Sequence, residues 1–66
     1  MKLWIARDND GSLYLYDQRP VLNTLINEVW ECTKFGNWYD IDNSLFPEVT
    51  FENSPQQIEL KLVKKD

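Results

Sequence analysis

The stretch Leu3-Trp4-Ile5-Ala6-Arg7-Asp8-Asn9-Asp10-Gly11-Ser12-Leu13-Tyr14-Leu15-Tyr16 decides how this chain folds. Two runs of β-forming residues, 3–7 and 13–16, flank four turn formers, which is the signature of a hairpin. Side chains then choose the loop length. With Asn9-Asp10-Gly11 as a three-residue loop, a type I turn closed by Gly11 in the left-handed region, Asp8 faces Ser12. Ile5 then pairs with Leu15, Arg7 with Leu13, Ala6 with Tyr14 and Trp4 with Tyr16. This register collects Leu3, Ile5, Leu13 and Leu15 on one side and Trp4, Ala6, Tyr14 and Tyr16 on the other. A two-residue loop at Asp10-Gly11 would set Ile5 against Tyr16 and mix the two sets. A slip of one residue moves every side chain to the other face, so the longer loop is expected.

Working outward, Arg19-Pro20 ends the second strand, since proline cannot donate to a ladder. Val21, Leu22, Leu25, Ile26, Val29 and Trp30 recur at helical spacing, and Pro20 suits a first helical turn. Asn23, Thr24 and Asn27 oppose a helix. The balance predicts a helical turn or loop over 21–27, then strands at 28–34 and 38–42 joined at Gly36-Asn37. That turn pairs Phe35 with Trp38, Lys34 with Tyr39, Thr33 with Asp40 and Cys32 with Ile41. Asp42-Asn43-Ser44 offers caps for one turn at Ser44-Leu45-Phe46, which Pro47 halts. Residues 48–52 alternate as a short strand, Asn53-Ser54-Pro55 turns the chain, and 58–62 reads as a last strand with one wet face. The expected fold class is mainly β: a small antiparallel sheet or open barrel of about five short strands, with a helical turn or short helix after Pro20.

Composition narrows the functions. The chain has 66 residues, net charge −4, no histidine and one cysteine. That length makes 1–66 a single small β-rich domain with a thin core, for which roughly 3–5 kcal/mol of stability is expected. Cys32 alone forms no internal disulfide, and without histidine neither a Cys/His zinc site nor a Ser-His-Asp triad can be built. No apolar run reaches the ~18–20 residues that span a bilayer, and Met1-Lys2-Leu3 opens on strand-like sequence, so a soluble, cytoplasmic protein is expected without a membrane partner. Charge is uneven: residues 35–60 carry no base and five acids, Asp40, Asp42, Glu48, Glu52 and Glu59. Phosphate backbones are bound by Lys and Arg, so no nucleic-acid partner is expected. Lys61, Lys64 and Lys65 read as a solvated, frayed terminus.

One resemblance rests on Trp4-Ile5-Ala6-Arg7-Asp8-x-Asp10-Gly11-x-Leu13-x-Leu15, then a tryptophan-bearing middle, then Leu45-Phe46-Pro47-Glu48-Val49-Thr50-Phe51-Glu52 and a closing Ile-Glu-Leu strand. The pattern resembles a group of very small uncharacterised proteins of gut anaerobic bacteria and of their phages or mobile elements. About two thirds of the chain takes part, and 45–50 is the most specific segment. The group has no established activity, so the resemblance implies a genomic setting, that of a phage-like or mobile-element accessory protein, and transfers no catalytic residue.

Candidate chemistry is sparse. Asp8-Asn9-Asp10-Gly11 is similar to part of a calcium loop, but Ala6 and Asp17 stand where ligands would be needed, so a turn is the plainer reading. Asp40 and Asp42, two apart on an expected strand, share a face; without a third ligand they read as a solvated face rather than a metal or acid–base pair. Cys32 is expected as a small buried hydrophobe, with no histidine to activate it as a nucleophile. Arg7, at the end of the aliphatic side, reads as a rim residue reaching a carboxylate, or as a partner contact. No cofactor, metal site or catalytic residue is expected, and the protein is read as a non-enzyme.

The aromatic side carries the sharper expectation. Trp4, Tyr14 and Tyr16, joined by Trp38 and Tyr39, exceed what so small a sheet must leave in water. Three readings compete: a helix or loop from 21–30 covers them as core, they form a protein-binding or self-association patch, or they stack on single-stranded nucleic acid. The function expected is a non-catalytic accessory protein acting through protein–protein contact. Its candidate contact residues are Trp4, Tyr14, Tyr16, Arg7, Asp40, Asp42 and Glu48. The alternative is an acidic decoy that occupies a nucleic-acid-binding groove of a host enzyme.

Overall fold

The computed structural model describes residues 2–25 and 28–59. Six strands follow in order: β1 Lys2–Arg7, β2 Leu13–Tyr16, β3 Val21–Asn23, β4 Val29–Glu31, β5 Trp38–Ile41 and β6 Gln56–Glu59. They make two antiparallel sheets, a four-stranded one of order β5-β2-β1-β6 and the two-stranded ribbon β3-β4. The larger sheet keeps two edges, so it does not close into a barrel. The described residues contain no helix, and none long and apolar enough to cross a membrane.

The first hairpin has the expected register: Trp4 opposite Tyr16, Ile5 opposite Leu15, Ala6 opposite Tyr14 and Arg7 opposite Leu13. The Asp8 amide donates to the Ser12 carbonyl at 2.8 Å and the Gly11 amide to the Asp8 carbonyl at 2.9 Å. Gly11 sits at φ 96°, a conformation that costs a residue without Cβ little. Asp10 accepts the Ser12 amide at 2.9 Å and locks the turn.

Two further pairings extend both faces. β5 sets Ile41 against Leu13, Tyr39 against Leu15 and Trp38 against Tyr16, while β6 sets Ile58 against Leu3 and Gln57 against Trp4. The aliphatic face thus gathers the core of Ile5, Leu13 and Val49, with Leu15, Ile41 and Ile58 packed around it. The opposite face carries a rung of Gln57, Trp4, Tyr16 and Trp38 across all four strands. Because β1 lies inside the sheet and is covered on both sides, Ile5 and Ala6 are both fully buried although they face opposite ways.

Three expectations are corrected. In place of a helical turn or short helix after Pro20, Val21–Asn23 forms strand β3, paired with β4 as Val21 to Glu31, Leu22 to Trp30 and Asn23 to Val29. The asparagine decides this locally: Asn23 Oδ1 accepts the Leu25 amide at 2.9 Å, starting a reversal rather than a helix. Ile26 and Asn27 of the supposed helical stripe lie outside the described residues.

The hairpin expected between 28–34 and 38–42 also does not form. β4 pairs with β3, and β5 with β2, so Cys32 does not face Ile41. Pairing with β2 lets Ile41 and Trp38 extend two faces already established, which a local Gly36-Asn37 turn could not offer. The link instead bends at Gly36, whose amide donates to the Thr33 carbonyl at 3.0 Å. Asn37 then docks on Asp17, its amide donating to Asp17 Oδ1 at 2.7 Å and its Nδ2 to Oδ2 at 2.9 Å.

Residues 48–52 are turn and bend, not a strand. Thr50 and Asn53 cap one another, the Thr50 amide donating to Asn53 Oδ1 at 2.7 Å and the Asn53 amide to Thr50 Oγ1 at 3.2 Å. The bend aims Val49 into the core, where it is buried. Turns form near 44–46 and 53–55 but earlier in the chain than expected: the Leu45 amide donates to the Asp42 carbonyl at 3.1 Å and the Ser54 amide to the Phe51 carbonyl at 3.3 Å, while Asp42 Oδ1 accepts both the amide and the hydroxyl of Ser44, at 2.8 and 2.7 Å. The last strand begins two residues early, at Gln56. The remainder of that expected strand, 60–62, and the lysine tail lie outside the described residues.

Candidate functional site

The ribbon β3-β4 covers part of the aromatic face and leaves a cleft beside it. Its attachment is polar and specific. The Trp30 amide donates to Asp8 Oδ1 at 2.9 Å, and the Tyr16 hydroxyl donates to the Trp30 carbonyl at 3.2 Å. Trp30 also meets Phe51, ring centroids 6.4 Å apart. Of the three readings of the aromatic face, cover from the 21–30 segment therefore holds for Tyr16, which is buried and donates to the Trp30 carbonyl; the cover is a β-ribbon.

The cleft has a volume of about 470 Å³ and is walled by Tyr14, Tyr16, Trp30 and Trp38, with Val29 and Cys32. Asp8 and Glu31 supply its charge, and among the described residues no Lys or Arg lines it. Tyr14 and Trp38 meet edge to face at 5.5 Å and 83°; Tyr14 and Tyr16 are tilted by 60° at 6.5 Å. The rings thus stand at angles as walls rather than stacking into one solid layer. Trp38 is 55% exposed at the rim. The indole N–H of Trp30 is buried and, among the described residues, has no hydrogen-bond partner.

Asp8 is 8% exposed. Among the described residues its carboxylate makes the one hydrogen bond to Trp30 and no ion pair. Burial holds its pKa above the 3.8 of a free aspartate, the Trp30 amide opposes that rise, and the nearby Asp10 charge adds to it. Tyr16 is pushed up as well, first by burial and then by the Asp8 charge. Both effects mark a polar group held in a poorly solvated place.

The other sequence-predicted residues divide. Trp4 shares the rung with Tyr16 and Trp38 but does not line the cleft; the Arg19 guanidinium sits 4.9 Å above its ring. Arg7 does not reach a carboxylate. Its guanidinium donates to five backbone carbonyls, those of Gly11, Asn43, Leu45, Phe46 and Val49. It therefore holds the 43–49 segment against the sheet, including Phe46 at φ 49°, an unfavourable conformation for a bulky side chain. That role absorbs its hydrogen-bonding capacity and leaves little for a partner.

The acids do not assemble. Asp40 is exposed beside Tyr14 on the aromatic face, whereas the strand ends at Ile41 and Asp42 leaves it to cap Ser44. Those Ser44 hydrogen bonds lower the Asp42 pKa. Glu48 is exposed beside the core residue Val49, in the segment over the opposite face. Among the described residues, no group of three or more Cys, Asp or Glu side chains is placed to hold a metal ion.

Sequence reasoning missed Asp8, Trp30 and Cys32 as cleft residues. Asp8 read only as a turn former, although a turn aspartate next to a buried strand is also placed to accept from a covering segment. Cys32 is half-buried and lines the cleft instead of the aliphatic core. No family model, curated protein or solved structure matches the chain.

Proposed function

We propose that this is a non-catalytic accessory protein that works by contact with another protein through the aromatic side of its four-stranded sheet. The observation that carries this reading is Trp38, 55% exposed on an edge strand and packed on Tyr14 at the mouth of the cleft. Tyr39, expected on the same side, stands opposite Leu15 on the other face of the sheet because side chains alternate along β5, and it takes no part in this surface. Tryptophan and tyrosine concentrate binding energy at interface centres, and an open edge offers unpaired amides and carbonyls to an added strand. The partner is a second protein or another copy of this chain. The carboxylates in the cleft, with no Lys or Arg there among the described residues, disfavour nucleic acid. A cytoplasmic phage or mobile-element setting, implied by the resemblance over 45–50, suits such a role.

The acidic-decoy reading has less support. It needs Asp40 and Glu48 on one surface, and they belong to opposite faces of the sheet. Capture from a lysate of the producing cells with tagged full-length protein separates the two, comparing wild type, Trp38→Ala and the Asp40→Asn/Glu48→Gln double variant at low and high salt. Salt-tolerant capture lost only in Trp38→Ala supports aromatic contact. Capture abolished by salt and by the double variant would replace it with the decoy.

A further inference from the structure

Resting on that binding role, we propose that the cleft between the sheet and the β3-β4 ribbon is a receptor for an organic cation, an alkylammonium group such as a methylated lysine end or a free quaternary amine. The first reason is Asp8. Carboxylates so deeply buried are normally paired with a cation, yet the described residues supply none to Asp8, only the Trp30 amide. A cation in the cleft provides the missing counter-charge.

The second reason is independent of Asp8. Four aromatic rings wall the space, and the π-faces of Trp and Tyr attract cations, more strongly where water is excluded. Ring angles of 60° and 83° between neighbouring walls surround a rounded group better than a flat one. The same face already shows the interaction at its far end, where Arg19 lies over Trp4. At the Trp38 end of the rung, no cation–ring contact forms among the described residues. Glu31 adds a second negative charge at the wall, so an anion is repelled, and a neutral ligand leaves Asp8 unpaired. A volume of about 470 Å³ holds a trimethylammonium head with part of its alkyl stem.

The test titrates the full chain at constant ionic strength with tetramethylammonium, with N-acetyl-trimethyllysine amide, and with the uncharged shape analogue 3,3-dimethylbutan-1-ol. Binding is followed by tryptophan fluorescence and by the NMR signal of the Trp30 indole N–H. The cations are expected to bind saturably, about tenfold more tightly than the alcohol, and Asp8→Asn is expected to weaken them by about tenfold with the alcohol unaffected. A preference for the lysine derivative over tetramethylammonium assigns the site to a protein side chain; the reverse assigns it to a free amine. Equal binding of the alcohol and the cations, no saturable response, or an unchanged affinity in Asp8→Asn overturns the proposal. Trp38→Ala serves as the second variant and should weaken the cations too. If Trp38→Ala loses the cations yet keeps its captured protein, the contact reading fails and the cation site stands. If Trp38→Ala loses its captured protein while wild type shows no response to the cations, the cation site fails and the contact reading stands.

Discussion

The amide of Trp30 donates to Oδ1 of Asp8 at 2.9 Å, across 22 residues of chain. One bond thus ties the covering ribbon to the end of β1, beside an aromatic cleft that Asp8 helps to line. Asp8 is at once a closing residue of the first turn, an anchor for the ribbon and the unpaired charge of the site.

That arrangement fixes a pH dependence. The folded carboxyl of Asp8 titrates above 3.8, mainly through burial. Between the unfolded and folded values the native state binds more protons, so Asp8's contribution to stability falls as pH rises through that window and stays reduced at neutral pH. Asp8→Asn keeps an acceptor for the Trp30 amide and removes the buried charge. It is expected to melt at or above the wild-type temperature at pH 7, with the advantage gone below about pH 3.8, where both states of Asp8 are protonated. Thermal melts across pH check this, and a clearly lower melting point at pH 7 refutes it.

Asp17 behaves in the opposite sense. Hydrogen bonds from the Asn37 amide and side chain lower its pKa, so its stabilisation is present above the unfolded value and lost as pH falls through the folded one. Asp17→Asn should be less stable than wild type at neutral pH and indistinguishable from it in strong acid. A constant difference at every pH would show that the charge is irrelevant to the Asp17–Asn37 dock.

Arg7 organises the loop over the aliphatic face through four carbonyls, those of Asn43, Leu45, Phe46 and Val49, and ties it to the first turn through a fifth, that of Gly11. Lysine keeps the charge but not the planar fork, so Arg7→Lys is expected to cost about 2 kcal/mol in urea unfolding. Amides of 43–49 should exchange faster before global unfolding. A loss below about 0.5 kcal/mol would mean that water replaces the guanidinium at no cost.

Val49 enters the core from a loop rather than a strand. Val49→Ala should destabilise by about 2 kcal/mol, whereas Leu45→Ala, at a half-exposed position four residues away, should change stability by under about 0.5 kcal/mol. Ile5→Ala should leave little native protein at room temperature, since a loss of about 3 kcal/mol rivals the whole stability expected for this length. Equal effects at Val49 and Leu45 would remove Val49 from the core.

The residues 3–16 by themselves determined the hairpin, its three-residue loop and the separation of aliphatic from aromatic side chains. Each of those depends on neighbours in sequence: a glycine able to take φ 96°, and an alternation that admits one register. Tertiary structure alone decided where 21–25, 28–31, 38–41 and 48–52 went. Their local preferences were nearly balanced, and burial broke the tie. β5 gained more by extending two faces of β2 than by folding back on β4, and Val49 gained more as a core plug than as a strand residue. The cleft belongs to the same class of outcome. Asp8, Tyr14, Trp30 and Trp38 come from four separate segments, and only the docking of the ribbon on the sheet brings them to one place.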